Sequence, residues 1–453
     1  MEEKSNTRGK FSNLGFVLAA AGSAIGLGNL WKFPYLVGMN GGSAFIIIYL
    51  ILIVLIGFPV MLGEMTIGRY TKRNPIGAYN KISPKWRFVG VIGVFVSFLI
   101  LTYYSVIGGW ILKYLVKYLT GGGSAIATDS ENFFGSFVAS PVEPVIWHLV
   151  FITVNFLIVL GGVEGGLEKA SKFMMPTLFV LIMALVVRSL TLPNAQGGID
   201  FMLKPDFSKI NMKTIIDAMG QVFFSLSLGM GIMITYGSYM GDDSDLAKNA
   251  LVIPALDTMC ALMAGFAIMP AVFSFGFEPS AGPGLIFITL PAVFNSMPFG
   301  SLFGVLFFLL VLFAALTSSI SLSESPVAYL IDEKGFSRKN AVIVVGVSAA
   351  LIGVLASLSM GVFDTKFFGK NFFDFSGYIA ESLLMPLAGL LMCVVVNYVF
   401  TTEKAIDEIS DHGTLPFKSR KVWQFLIRYI APVAIFIVWL NSSGIVDLVK
   451  KLF

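Results

Sequence analysis

Histidine and cysteine are almost absent. The 453-residue chain has only His148, His412, Cys260 and Cys393 of these types. That scarcity argues against a zinc enzyme or a His-based hydrolase. The two cysteines lie in apolar stretches and offer neither a metal-ligand spacing nor a disulfide framework. Charge is scarce too: Asp, Glu, Lys and Arg make up 13% of residues, against about a quarter in soluble domains. The net charge of +4 is small, and nothing points to nucleic acid as a partner. No Ser/His/Asp set, paired-carboxylate site or large soluble regulatory domain is legible. The polar start, Met1 to Lys10, is not followed by a short apolar core with a small-residue cleavage site. The first apolar run is therefore expected to be a mature span.

Apolar sequence dominates: 56% of residues are hydrophobic and the mean hydropathy is +0.83. The composition predicts one bundle whose outer surface faces lipid, not the roughly three soluble domains this length would otherwise suggest. Runs of about 20 apolar residues can cross a hydrocarbon core roughly 30 Å thick as helices. Eleven occur, at about 12–36, 43–69, 88–118, 145–161, 166–187, 214–240, 247–272, 299–331, 341–360, 375–400 and 421–440. Most of the 31 Lys and Arg fall at the N-terminus and in alternate loops, while the 120–143 and 273–297 loops hold none. The bias predicts a cytoplasmic N-terminus and, with an odd number of spans, an extracytoplasmic C-terminus in a plasma membrane.

Two runs are oddly built. The first carries Ala21-Gly22-Ser23-Ala24-Ile25-Gly26-Leu27-Gly28-Asn29 at mid-depth, and the sixth carries Ser225-Leu226-Ser227-Leu228-Gly229-Met230-Gly231. Glycine inside a helix costs about 1 kcal/mol. Close helix packing through small residues is one reading. The other is a break that frees backbone N–H groups for an anion and carbonyls for cations. The positions favour the second. They open two successive five-span units, 12–187 and 214–400, with 421–440 left over. An odd number of spans per unit makes the second inverted relative to the first.

Gly26-Leu27-Gly28-Asn29-Leu30-Trp31-Lys32-Phe33-Pro34-Tyr35, followed by Asn40-Gly41-Gly42, resembles the signature of the neurotransmitter:sodium symporters. Gly63-Glu64-Met65, Gly68-Arg69-Tyr70, Tyr103-Tyr104, Ser225-Leu226-Ser227-Leu228-Gly229 and Thr317-Ser318-Ser319 follow in the family's order. The resemblance covers nearly the whole chain and is greatest to the bacterial amino-acid branch. It implies an all-α membrane protein of about eleven helices, a 5+5 inverted repeat with broken first and sixth helices. It also implies a single transporter domain that imports a small neutral amino acid with sodium.

The resemblance further implies two bound sodium ions and no other cofactor. Site one would use the Ala24 carbonyl, Asn29, Ser225, Asp257 and the substrate carboxylate. Site two would use the carbonyls of Gly22, Ile25 and Ala314 with the hydroxyls of Thr317 and Ser318. Taken alone, those two hydroxyls could simply bond back to their own helix. The substrate carboxylate is expected on the N–H groups of Leu27 and Gly28 near Tyr104. The amino group is expected at the Ala24, Phe224 and Ser225 carbonyls and the Ser227 hydroxyl. Ser23, Ile100, Tyr104, Phe224, Met230, Ser318 and Leu322 would surround the side chain. Monoamine transporters of the family carry Asp where Gly26 stands, so glycine here implies a substrate that brings its own carboxylate. No charged side chain is among these residues, and burying an unpaired charge costs several kcal/mol.

The same resemblance makes Lys32 and Asp374 an outer gate, and Arg8 and Asp332 with Tyr239 an inner one. Gly166 and Pro176 form a Gly-X9-Pro pattern, either a static kink or a segment whose inner end unwinds. Glu64 is expected to cap broken backbone; Glu324 and Glu381 have no assigned role beyond a water-lined or helix-pairing face. Asp257 falls where chloride-binding eukaryotic members carry Asn. A fixed carboxylate would replace the anion, making transport chloride-independent, with a proton as a possible counter-ion. The competing functions are a proton-coupled transporter of the same architecture, a membrane enzyme and a non-transporting sensor.

Overall fold

In lipid every backbone polar group must be bonded within the protein, so apolar runs of this length fold as helices. The computed structural model describes residues 9–242, 244–277, 284–363 and 365–444. Among them, nine continuous helices are long and apolar enough to cross a membrane: Ser43–Thr71, Pro84–Leu119, Glu143–Leu160, Val163–Leu190, Leu246–Ser274, Gly300–Lys334, Arg338–Leu358, Phe372–Val399 and Arg420–Ser442. A tenth is the pair Asn13–Ala24 and Gly28–Met39, bent by 46° at the break between them. The remaining expected crossing is present as two pieces, Met212–Ser225 and Ile232–Gly237. We number these crossings 1 to 11 in chain order, so spans 1 and 6 are the broken ones.

The breaks follow from backbone chemistry. Span 1 stops where Ile25 turns extended, at φ −76° and ψ 94°. Between the pieces of span 6, Ser227, Gly229 and Gly231 have φ of 54°, 72° and 70°. Glycine is needed twice there, for conformation and for space: a Cβ on Gly229 would lie 2.2 Å from the Met385 carbonyl oxygen, and one on Gly231 2.8 Å from the Pro75 ring.

The freed backbone groups find side-chain partners. Glu64 accepts the Gly229 N–H at 2.8 Å, as expected of it, and Ser97 donates to the Met230 carbonyl at 2.9 Å. Gln221 donates to the Gly28 carbonyl at 2.8 Å, and Asn29 accepts the Gly26 N–H at 3.1 Å.

Several stretches read as loops carry short helices, among them Ser130–Ala139 and Gln196–Leu203. Within the 273–297 stretch, read as a loop, Leu285–Asn295 forms a short apolar helix. Its Phe287 packs against Trp110, Tyr114 and Phe134, with ring centroids 5.0–5.8 Å apart. A search for crossings cannot register so short a segment, which is buried by its neighbours and does not itself cross.

Candidate functional site

The two breaks meet at the centre of the bundle. Ser227 donates to the Ser23 carbonyl at 3.1 Å, and the two hydroxyls lie 3.1 Å apart. A cavity at this junction is lined by Ser23, Ala24, Gly26, Leu27, Gly28, Ile100, Tyr104, Phe224, Ser227, Met230, Ser318 and Leu322. The residues expected to hold substrate thus come together from spans 1, 3, 6 and 8, with Ser225 alone outside the lining. No charged side chain is in this wall. The Leu27 N–H points to the Tyr104 hydroxyl at 3.2 Å. A Cβ on Gly26 would lie 2.3 Å from Ser318 Oγ and 3.0 Å from the Tyr104 hydroxyl, so this position has no room for a longer side chain without displacement.

The free space inside is only about 20 Å³, little more than one water needs. A second cavity of about 240 Å³ lies beyond it, lined by Trp31, Lys32, Tyr35, Tyr103, Phe373, Asp374 and Glu381 among others. Leu27, Tyr104 and Phe224 line both cavities. The side chains of Tyr104 and Phe224 therefore form a partition between pocket and vestibule.

Beside the pocket sits an oxygen-rich cluster. Asp257 is fully buried and accepts hydrogen bonds from three side chains. Asn29 Nδ2 is 2.7 Å from one carboxylate oxygen, the Tyr49 hydroxyl 3.3 Å from the other, and Ser225 Oγ 2.9 Å from both. Asn29, Ser225 and Asp257 are three of the expected ligands of the first sodium ion, and hard oxygen donors of this kind suit a hard cation.

At the second expected sodium site, Ser318 Oγ reaches across the break, 3.4 Å from the Gly22 carbonyl and 3.1 Å from that of Ser23. Thr317 Oγ1 bonds the carbonyls of Phe313 and Ala314 in its own helix at 3.0 and 3.1 Å. Thus Ser318 already spans two helices, while Thr317 makes the back-bonds that its sequence alone allows. Ile25 ends the half-helix beside them, its N–H on Ala21 at 2.7 Å.

The outer gate needs a revision. Lys32 pairs with Glu381, at 2.7 Å, and not with Asp374. Tyr103 holds the other Glu381 oxygen at 2.9 Å, and the Lys32 ammonium lies 4.5 Å from the Phe224 ring centre. Asp374 is two helical turns from Glu381 on the same vestibule wall. A lysine stem is long and carries a point charge, so it settles where a carboxylate and an aromatic face converge. At the opposite end Arg8 lies outside the described residues. Asp332 accepts the backbone N–H and side-chain amide of Asn74 at 3.1 and 3.0 Å.

An ion pair at that end joins Arg338 to Glu324 through two hydrogen bonds of 2.9 and 2.6 Å. Tyr239 donates to the same carboxylate at 2.7 Å, and Arg338 also donates to the Val159 carbonyl. One arginine thus ties together the ends of spans 4, 8 and 9, and span 6 joins through Tyr239. Both Glu324 and Glu381 acquire partners that the sequence left unassigned.

The Gly166–Pro176 segment is wound here, within the Val163–Leu190 crossing. Gly166 serves close approach: a Cβ would lie 2.2 Å from the Ile158 carbonyl oxygen. Gly166→Ala would therefore disturb the packing of spans 4 and 5 as well as stiffen the chain. Gly165 is the cleaner probe, because a Cβ there meets nothing within 4 Å. Gly165→Ala stabilises helix by about 1 kcal/mol. If the segment must unwind, this variant should slow transport several-fold in vesicles while leaving equilibrium substrate binding unchanged. Equal losses in both measurements would assign the segment a static role.

The sodium:neurotransmitter symporter family matches residues 8–124 and 140–450. A sodium-dependent transporter of Bacillus subtilis (strain 168) is 42% identical over 96% of this chain and 98% of its own. A sodium- and chloride-dependent GABA transporter of Macaca fascicularis is 28% identical over 94% of this chain and 78% of its own. The crystal structure of MhsT in complex with L-phenylalanine is similar at a TM-score of 0.89 and 44% identity, covering 96% of this chain and all of that one.

Proposed function

The chain belongs to the sodium:neurotransmitter symporter family, and from that premise we propose that it imports neutral, hydrophobic L-amino acids, aliphatic or aromatic, by alternating access. It is a sodium-dependent, multi-pass transporter and not an enzyme. The observation that carries the substrate class is the uncharged central cavity with Gly26 in its wall. A Cβ there would run into Ser318 and Tyr104, so the wall does not supply a carboxylate to pair an amine. A substrate that carries its own carboxylate, set against the Leu27 and Gly28 N–H groups and a sodium ion, balances the charge. The bound L-phenylalanine of MhsT supports the same class.

Two sodium ions accompany the substrate in this reading. One sits among Ala24, Asn29, Ser225, Asp257 and the substrate carboxylate. The other sits among Gly22, Ile25, Ala314, Thr317 and Ser318. Because the first site includes the substrate, sodium and amino acid raise each other's affinity by the same factor. The Lys32–Glu381 end faces outward and the Arg338–Glu324 end faces the cytoplasm, in line with the crowding of Lys and Arg on that side. A proton returning on Asp257 belongs to this proposal, as does chloride independence.

Labelled amino acids presented to proteoliposomes with sodium or potassium outside test the reading. Leucine, phenylalanine, tyrosine or tryptophan should accumulate only with sodium, and should be recovered unchanged. Equal uptake in potassium, or uptake of dopamine-like amines in their place, would refute it. Met230 sets the expected breadth. It is an unbranched, adaptable side chain in the cavity wall. Met230→Phe should weaken binding of tryptophan by about tenfold and that of leucine much less, since overpacking costs about 1–3 kcal/mol. Equal losses for both would remove Met230 from side-chain selection.

A further inference from the structure

The chain entering span 1 is strapped across the start of span 5. Lys10 N–H donates to Glu164 at 3.2 Å. Ser12 gives both of its donors to one carboxylate: its N–H lies 3.0 Å from Glu168 Oε2 and its hydroxyl 2.6 Å from Oε1. Lys172 flanks the same carboxylate at 2.6 Å. Ser12 is also the N-cap of span 1, accepting the Gly15 N–H at 3.0 Å. Gly15 clears the space, since a Cβ there would lie 2.2 Å from the Glu168 carboxyl carbon. The next residue back, Phe11, donates its N–H to the Tyr239 carbonyl and packs its ring on Phe16, Tyr236 and Tyr239.

Glu168 lies within the Gly166–Pro176 segment. The far end of that segment rests against the expected second sodium site: a Cβ on Gly22 would meet Met175 Sδ at 3.1 Å and Thr317 at 3.2 Å. So the segment is fastened at one end to the N-cap of span 1 and at the other abuts the half-helix that span 1 presents to sodium. A carboxylate accepting two hydrogen bonds in parallel at a helix N-terminus is a strong, oriented contact. Local stabilisation of span 1 would not require a partner 156 residues away.

We propose that Glu168 is a positioning residue for transport, a clasp that keeps the Gly166–Pro176 segment wound until span 1 swings, so that sodium leaves the second site only after the Ser12–Glu168 contact parts. The clasp rests on the reading of this segment as the inward exit route. It makes the movement of span 1 and the unwinding of span 5 one event: tilting the N-terminal half of span 1 withdraws both donors from Glu168 together.

Ser171→Cys places a thiol within the segment at a buried serine, and both native cysteines are buried. Its reaction with a membrane-impermeant maleimide, applied to the cytoplasmic face of inside-out vesicles, should be slow in sodium and fast in potassium. Adding Glu168→Ala should raise the rate in sodium roughly tenfold, as the loss of a charged, bidentate contact implies. Ser12→Ala should move it the same way. The double variant should react no faster than Glu168→Ala alone, the signature of two residues acting through one contact. Glu168→Gln, which keeps the shape and one acceptor, should fall between the two and guards against a misfolded alanine variant. Unchanged labelling with Glu168→Ala and Glu168→Gln, in a parent that does respond to sodium, would overturn the clasp. A Ser171→Cys parent that reacts equally with and without sodium would overturn the exit route itself, and the clasp with it.

Discussion

Asp257→Asn is expected to abolish transport in chloride-free buffer and to restore part of it when chloride is added. The carboxylate is fully buried and takes hydrogen bonds from Asn29, Ser225 and Tyr49. Asparagine keeps the shape but removes the negative charge that would balance a sodium ion held by Asn29 and Ser225. It also turns one acceptor into a donor facing other donors. Removing one partner of a buried charge pair costs about 3–5 kcal/mol, or roughly 10²–10⁴ in sodium affinity. The macaque relative is named as chloride-dependent, which makes chloride the natural substitute for the missing charge. Sodium titrations of labelled leucine binding, with chloride or gluconate as the anion, read the effect directly. An opposing proton gradient should also cease to stimulate the variant, because the group proposed to carry the proton is gone. Full chloride-free activity in Asp257→Asn would show that this charge does not stand in for the anion.

The second large effect is expected from Thr317→Ala combined with Ser318→Ala. In this structure Thr317 bonds its own helix and Ser318 reaches the carbonyls of Gly22 and Ser23. If the pair ligates sodium, losing both hydroxyls leaves a buried cation short of two oxygens. Sodium-stimulated binding should weaken by at least about 30-fold, taking roughly 1–3 kcal/mol for each lost partner of a buried polar group. The single variants separate the two roles. A threonine that only back-bonds should give a Thr317→Ala protein with an unchanged sodium midpoint. A shared midpoint between the double variant and the parent would exclude the second site.

Much of this site was legible in the sequence, for a physical reason. Glycines at 26, 28, 229 and 231 are conspicuous inside apolar runs and mark the breaks of spans 1 and 6, whereas the pocket residues of spans 3 and 8 were implied only by the family resemblance. Once the broken spans face each other, their neighbours have little freedom. The gates depended instead on side-chain reach and chain return. Asp374 and Glu381 share a helix face two turns apart, and nothing in the order of residues says which one a flexible lysine selects. Glu381 did carry a signal, being an acid inside an apolar run, where charges are seldom idle. Arg338 reaches Glu324 only because the chain reverses at Gly335, whose φ of 69° ends span 8. The Ser12–Glu168 contact joins residues 156 apart and has no sequence trace beyond the N-cap serine itself. The short Leu285–Asn295 helix was missed because its stability comes from the aromatic side chains around it.

The two ion pairs at opposite ends of the bundle differ in their access to water. Lys32 and Glu381 have side chains 30% and 26% exposed, whereas Glu324 is 0% exposed and its Arg338 partner 23%. Dissolved ions screen exposed charges over about 8 Å at physiological strength and reach buried ones much less. Medium composition therefore acts on the Lys32–Glu381 pair more than on the Arg338–Glu324 pair. With the Lys32–Glu381 end outward, as proposed, a cell passing from dilute to saline surroundings would loosen that pair more than the Arg338–Glu324 pair. The carrier would then spend more of its cycle open to the outside when sodium there is abundant, a bias that arises from differential hydration and needs no regulatory domain.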